Sequence, residues 1–273
     1  MSLNIPVIGI IGCGAMGTAL IRGLIASGEM DPENLWIYDL DSNKMEELSV
    51  ELGVMPAADG EQLFQKCRYI VVAVKPQDIL TSSAEWAKFF QPEEQLLISL
   101  AAGITIKFYE VRLPAGSKII RLMPNTPCLV GEGAIAMSCG KEVTPEEAGE
   151  VKKLLSHLGL IITVEEKLMD AVTGLSGTGP AYVYLFIEVL IDAGVNIGLS
   201  RRNAADLVIQ TVIGAAQMVR ESGRHPAELR NDVTSPAGTS AAALAVLESG
   251  RFRSSLIGAV QTAVQRAGEL KYE

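Results

Sequence analysis

Near the start of the chain, Gly12-Cys13-Gly14-Ala15-Met16-Gly17 has the spacing G-x-G-x-x-G. Glycines so spaced also mark ordinary turns, and the pattern gains meaning only from its surroundings. The preceding run Val7–Ile11 is β-branched apart from Gly9 and reads as a buried strand. The run Ala15–Ser27 has helical spacing and stops at Gly28. In that setting Gly12 makes a tight turn, Gly14 lets the main chain approach a pyrophosphate, and Gly17 lets helix and strand pack closely. The helix start offers unpaired N–H groups and a partial positive charge to the phosphates. Asp39 stands 22 positions after Gly17, at the end of a second strand reading, Leu35–Tyr38. A carboxylate there accepts both ribose hydroxyls of NAD and repels a 2′-phosphate. The loop Asp39-Leu40-Asp41-Ser42-Asn43-Lys44 has one base, Lys44. The loop thus favours NADH over NADPH; the alternative is that Asp39 or Asp41 only caps the next helix.

Further groups fall at the ends of later strand readings. Val74-Lys75-Pro76-Gln77 follows the apolar run from Tyr69, and Ser99–Gly103 and Met123–Pro127 follow two more. In an open α/β sheet the ligand crevice lies at those ends. Asn125 can pair with a carboxamide through one donor and one acceptor, or serve as a turn residue. Two segments, Leu175–Pro180 (LSGTGP) and Asp232–Ala243 (DVTSPAGTSAAA), gather hydroxyls and glycines at helix starts. Such loops bind anions through main-chain N–H groups, although two capped loops without a ligand would look the same. A hydroxyl there hydrogen-bonds a substrate nitrogen without titrating, which suits reduction of a carboxylate-bearing imine better than oxidation of an alcohol. The four cysteines, 13, 67, 128 and 139, form no C-x-x-C pair and there are two histidines, so no metal site is expected. Reduced thiols fit a cytoplasmic protein.

The elements that must position these groups fall into two parts. Up to residue 164, strand readings at 7–11, 35–38, 69–74, 95–99 and 118–122 alternate with helical stretches, which predicts a doubly wound, mainly parallel Rossmann sheet. Segments 133–138 and 160–164 add edge strands around a helix at 145–157. From 165 to 273 strand signals vanish, leaving helical patterns at 180–193, 202–221, 240–248 and 252–271. The fold class is therefore α/β, with a dinucleotide-binding domain over 1–164 and an all-α domain over 165–273. The apolar content of that second part points to a homodimer. A formal charge of −9 argues against nucleic acid as a partner. The run Val7–Ile25 lacks a preceding base and has internal glycines, unlike a signal peptide. The run Ala181–Ile191 carries Glu188 and is too short to span a bilayer. Met1-Ser2-Leu3 is set aside.

Three long stretches resemble the pyrroline-5-carboxylate reductase family: Leu122–Met137 (LMPNTPCLVGEGAIAM), Gly174–Ala204, and Leu229–Glu248 (LRNDVTSPAGTSAAALAVLE). The N-terminal glycine run, VKPQ and AAGI match as well, so that the likeness covers roughly Val7–Leu270 in order. The resemblance implies reduction of 1-pyrroline-5-carboxylate to L-proline with NADH or NADPH. It implies a Rossmann domain followed by a helical domain that interlocks in a dimer, with a ring of dimers as a further possibility. It places Gly12, Gly14, Ala15 and Met16 along the cofactor, with Val74, Lys75 and Pro76 toward the nicotinamide and Asn125 nearby. It puts the substrate carboxylate on Ser235, Gly238, Thr239 and Ser240, with Ser240 as the hydroxyl facing the imine. Three departures stand out. Ala237 replaces a glycine of the family, Ser240 stands where a threonine is usual, and Asp39-Leu40 stands where NADP-using relatives carry Asn-Arg or Ser-Arg. Two other readings remain: a β-hydroxyacid dehydrogenase, which needs a catalytic lysine that is absent from Gly174 through Arg201, and a dinucleotide-sensing binding protein.

Overall fold

The computed structural model describes residues 7–28 and 30–272; Met1–Leu3, and the rest of 1–6, lie outside them. Strand β1 (Ile8–Ile11) passes through the glycine turn into α1 (Ala15–Ala26). Then follow β2 (Leu35–Tyr38), α2 (Ser42–Leu52), β3 (Met55–Pro56), α3 (Gly60–Lys66), β4 (Tyr69–Val72), α4 (Pro76–Trp86), β5 (Leu96–Ser99), α5 (Ile106–Glu110) and β6 (Lys118–Met123). Next come β7 (Gly133–Cys139), α6 (Pro145–Leu155) and β8 (Gly159–Thr163). The eight strands form one sheet in the order β3-β2-β1-β4-β5-β6-β7-β8. All neighbours are parallel except β6 and β7.

Side chains alternate between two buried faces, as a strand's period of two requires. Ile8 and Ile10 of β1, Tyr69 and Val71 of β4, and Leu96 and Ile98 of β5 pack on one side with Leu20, Ile21 and Leu24 of α1 and Val151 and Leu155 of α6. Ile11, Ile70, Val72 and Leu97 face the other side, against Leu63 and Phe64 of α3, Ile79 of α4 and Phe108 and Tyr109 of α5. With both faces covered, the strands read as continuous apolar runs rather than alternating ones.

The structure differs from the sequence reading at several ends. β4 stops at Val72, two residues short, because the chain leaves the ladder to reach Lys75, the residue before the Pro76-led helix α4. Segment 133–138 is not at the edge; β7 lies between β6 and the edge strand β8. β3, α3 and α5 are too short to show a period, and α4, 11 residues long, is missing from the sequence reading although Pro76 marks its start.

Beyond β8 the described chain is helical apart from one bridge between Ile104 and Tyr272. α7 (Met169–Val172) runs through a π-helical turn, Thr173–Gly177, into α8 (Gly179–Asn196); α9 (Arg201–Ser222), α10 (Pro226–Asp232), α11 (Thr239–Ser249) and α12 (Phe252–Glu269) complete it. The helical run over 166–196 has 31 residues and is long and apolar enough to cross a membrane by length and composition. The 11-residue apolar stretch is thus part of a longer element than the sequence suggested.

The chain forms two compact units: the described residues up to Thr178 with those from Ala263 onward, and Gly179–Thr262. Residues 165–178 belong with the sheet because Glu166 accepts hydrogen bonds from Ile106 N–H (2.7 Å) and from the buried Arg121 guanidinium (3.1 Å). The C-terminal end joins the same unit: Tyr272 N–H donates to Gly103 O at 2.8 Å, and Lys271 pairs with Asp170 at 2.5 Å. In the second unit α8 packs on α9 where Gly194 meets Ala204, and those two are its only buried residues among the described ones.

Candidate active site

The turn between β1 and α1 is shaped first by close packing at its glycines. Gly12 has φ +104°, and a Cβ there would lie 2.7 Å from Val74 Cγ1 and 2.8 Å from the Ala73 carbonyl carbon. A Cβ on Gly17 would overlap Gly12 O. Both glycines are needed for α1 to approach β1 and β4. Gly14 is different: a Cβ there meets nothing within 4 Å. That open space is part of a cleft of about 580 Å³ which Gly12, Gly14, Asp39, Val74 and Lys75 line together.

Gly14 is the N-cap of α1 and no side chain caps the helix. The first helical hydrogen bond is Thr18 N–H to Gly14 O, so the N–H groups of Ala15, Met16 and Gly17 precede it and face outward along the helix axis. An anion is the natural partner for them. The thiol of Cys13, inside the turn, is buried and its pKa is pushed up to about 12, first by burial and then by the charge of Asp39. It stays neutral and leaves the positive field of the helix end intact.

Asp39 is not the cap of α2; Asp41 is, accepting from Asn43 N–H at 3.2 Å. The Asp39 carboxylate accepts from Cys13 N–H at 2.6 Å and from Asp41 N–H at 2.9 Å. Lys44 lines the same cleft and forms an ion pair with Asp41 at 3.5 Å. Pro76 occupies the first turn of α4 with Lys75 as its N-cap, where a missing N–H costs nothing. Asn125 is buried, and its amide is committed inside the protein: Nδ2 donates to Ser176 O at 3.0 Å and Oδ1 accepts from Ala134 N–H at 2.9 Å. It does not line the cleft. One Nδ2 hydrogen remains for a carboxamide.

Ser235, Gly238, Thr239 and Ser240 belong to the second compact unit. Gly238 N–H donates to Ser235 O at 3.0 Å across Pro236 and Ala237, a turn with Pro in its second position. Ala237 has φ +59°, the left-handed region that favours glycine. Gly238 caps α11, and a Cβ there would overlap Ser235 Oγ. The N–H groups of Thr239, Ser240 and Ala241 precede the first helical bond, Ala242 N–H to Gly238 O. The Ser240 hydroxyl makes no hydrogen bond among the described residues, so it can serve a ligand.

Sequence reasoning missed the far wall of the cleft. Asp59, Gly60 and Glu61 at the start of α3 and Asp78, Ser82 and Trp86 on α4 line it. The signals were present: Asp59 accepts from Gln62 N–H while Gln62 Oε1 accepts from Ala58 N–H, a capping pattern, and Pro76 marks a helix start.

Comparison with known proteins identifies relatives over nearly the whole chain. The family described as pyrroline-5-carboxylate reductase dimerisation matches residues 166–270, and the one described as NADP oxidoreductase coenzyme F420-dependent matches 7–103. A pyrroline-5-carboxylate reductase of Methanosarcina acetivorans is 40% identical over 96% of this chain and 97% of its own. One of Arabidopsis thaliana is 40% identical over 96% and 95%. Among solved structures, a Plasmodium falciparum pyrroline carboxylate reductase with NADP bound has TM-score 0.90 at 34% identity, covering 99% of this chain and 100% of its own. A pyrroline-5-carboxylate reductase from Coxiella burnetii has TM-score 0.92 at 36% identity, with the same coverage.

Gly14 and Gly17 are predicted to fail differently. Gly14→Val leaves the fold intact, with an unchanged thermal midpoint, and abolishes NAD(P)H binding in a fluorescence titration. Gly17→Ala forces an overlap worth roughly 1–3 kcal/mol and lowers the thermal midpoint itself. Tight cofactor binding by the Gly14 variant would remove the turn from the site.

Proposed function

The chain belongs to the pyrroline-5-carboxylate reductase family, and from that premise we propose how its own residues divide the work. It is an NAD(P)H-dependent oxidoreductase that reduces the C=N bond of 1-pyrroline-5-carboxylate to give L-proline, the last step of proline biosynthesis. The observation that carries this is the match to such enzymes over 96% of the chain, reinforced by a glycine turn that opens on a cleft. When bound, the reduced nicotinamide supplies the hydride.

The N–H groups of Ala15, Met16 and Gly17 hold the pyrophosphate, with Gly14 leaving it room and Gly12 shaping the turn. Val74, Lys75 and Pro76 would border the nicotinamide end, and Asn125, which does not itself line the cleft, would reach the carboxamide through its one remaining Nδ2 hydrogen. The substrate carboxylate sits in the loop of Ser235, Gly238, Thr239 and Ser240, on the open N–H groups of Thr239 and Ser240 and the hydroxyls of Ser235, Thr239 and Ser240, with the Gly238 N–H closing the turn on Ser235 O. The Ser240 hydroxyl would face the imine and pass the ring nitrogen its proton, or solvent would supply that proton directly. Holding the two carbons in attack geometry supplies most of the acceleration. Nothing in the loop titrates near neutrality, and nothing needs to.

NADH is the preferred cofactor in this reading. The cleft has five carboxylates, Asp39, Asp59, Glu61, Asp78 and Glu85, against three lysines, 44, 75 and 88. A 2′-phosphate would add like charge to that wall.

The functional division follows the sequence: nucleotide binding over 1–164, substrate binding and dimerisation over 165–273. The second part works as a homodimer, with a ring of dimers as its larger form. A unit spanning Gly179–Thr262 that buries only Gly194 and Ala204 cannot hold its shape alone. Leu185, Val189 and Leu207 are each more than half exposed. A second copy covering them accounts for the apolar helical run without a bilayer. Four unpaired cysteines fit a cytoplasmic location, and the net charge of −9 disfavours nucleic acid.

Measuring NADH oxidation with 1-pyrroline-5-carboxylate tests the reaction directly, and a dehydrogenase of hydroxy acids or a mere nucleotide sensor would give none. In the same assay kcat/KM is larger for NADH than for NADPH, and Asp39→Ser with Leu40→Arg moves the ratio toward NADPH by roughly ten- to a hundred-fold. A clear NADPH preference in the unmutated enzyme overturns that reading.

Ser240→Ala lowers kcat by roughly ten- to a hundred-fold, the worth of one hydrogen bond in a dry site, with the cofactor KM unchanged. An unaltered kcat would assign the proton to solvent.

Leu185→Glu with Val189→Glu yields monomers in analytical ultracentrifugation; a dimer that persists would place the interface elsewhere.

A further inference from the structure

Asp39 does more than its position after β2 requires. Both carboxylate oxygens are already used within the protein, and both partners are main-chain donors. Oδ2 takes the Cys13 N–H at 2.6 Å, from the middle of the glycine turn, and Oδ1 takes the Asp41 N–H at 2.9 Å, from the start of the next loop. One residue earlier, Tyr38 O takes the Gly12 N–H at 2.8 Å. The parallel ladder between β1 and β2, which ends at the Ile11–Tyr38 pair, is thus continued by one main-chain bond and then by a side chain. Within the turn, the Thr18 hydroxyl donates to Cys13 O at 3.2 Å, so the Cys13 peptide is held on its N–H side by Asp39 and on its C=O side by Thr18. Gly14 has no Cβ contact, and α1 has no side-chain cap. The Asp39 N–H in turn meets Met45 Sδ at 3.1 Å, which ties the carboxylate's own backbone to α2.

We propose that Asp39 is a positioning residue for the pyrophosphate turn: its carboxylate clamps Cys13 so that Gly14–Gly17 stand ready to receive phosphate whichever nicotinamide cofactor arrives. This rests on the cofactor site assigned above but not on the choice between NADH and NADPH. Each oxygen has a second lone pair and Asp39 lines the cleft, so the clamp and ribose binding are compatible. The two roles nevertheless predict opposite results for NADPH. A residue that only repels the 2′-phosphate improves NADPH use when its charge is removed. A clamp, once broken, weakens every ligand of the turn.

Asp39→Asn separates them. The amide is isosteric, but its NH2 must face either Cys13 N–H or Asp41 N–H, and both are donors. The readouts are kcat and KM with NADH, with NADPH and with reduced nicotinamide mononucleotide, which carries the phosphate but no adenosine ribose. The expected result is a KM raised at least roughly tenfold for all three, the worth of a charge-assisted hydrogen bond, with kcat at saturation changed less than twofold and the thermal midpoint retained. Alkylation of Cys13, followed by peptide mass mapping, should quicken in the variant and be suppressed by NADH, since the thiol is 4% exposed only while the turn is closed on it. A rise in kcat/KM for NADPH, with the mononucleotide KM and Cys13 labelling unchanged, would overturn the clamp and leave Asp39 as a specificity residue alone. A wild-type preference for NADPH together with weakened mononucleotide use in the variant would overturn the NADH reading and leave the clamp standing.

Discussion

The uncapped N-terminus of α1 is the feature on which the first unit depends. The N–H groups of Ala15, Met16 and Gly17 precede the first helical bond and meet no side-chain cap among the described residues; such groups are costly to leave without a partner, and Gly14 beside them lines a cleft. The surrounding structure keeps them available. Gly12 and Gly17 remove the atoms that would hold helix and strand apart, and β1 and β4 deliver both chain segments to the same crevice. Burial keeps the Cys13 thiol neutral, its pKa at about 12, so no thiolate competes for the helix end. Side chains of α3 and α4 complete the far wall. The sheet is buried on both faces, and its parallel order places every relevant turn at one edge.

A different constraint governs the second unit. Helices with apolar residues spread around their circumference satisfy their own main chain but cannot bury their side chains alone. In Gly179–Thr262 the packing of Gly194 on Ala204 brings α8 and α9 close, and Ser200 caps α9 by accepting from Asn203 N–H, yet the surface remains oily. Ion pairs such as Arg224 with Asp232 and Arg253 with Glu248 are exposed and add little stability. That exposed apolar surface fits a family region named for dimerisation.

Residue by residue, what could be read from the sequence follows from how local the signal is. Leu35–Tyr38 appears with its expected bounds because a buried parallel strand is a short apolar run bracketed by turns. The glycine turn was legible because each glycine has a distinct steric reason. Helices α3 and α5 were not read: seven and five residues give too few turns for a periodic pattern. Asp39 was singled out by its spacing alone; its bond to Cys13, 26 positions away, depends on tertiary approach that no local pattern encodes. Asn125 was singled out for its amide, but its partners, Ser176 and Ala134, again come from distant segments.

Ala237 illustrates how a departure from the family can be absorbed. The turn Ser235-Pro236-Ala237-Gly238 needs a left-handed residue in its third position, and the family resemblance places glycine there. An alanine at φ +59° costs about 1 kcal/mol relative to glycine. Three restraints hold it: Pro236 fixes the preceding φ, Gly238 N–H closes the turn on Ser235 O, and the crowding of Gly238 by Ser235 Oγ excludes a larger residue at the cap. The same alanine narrows the conformations open to the unfolded loop, which offsets part of that cost. The N–H groups of Thr239 and Ser240 therefore keep the direction that the helix end imposes, with alanine in the left-handed position of the turn.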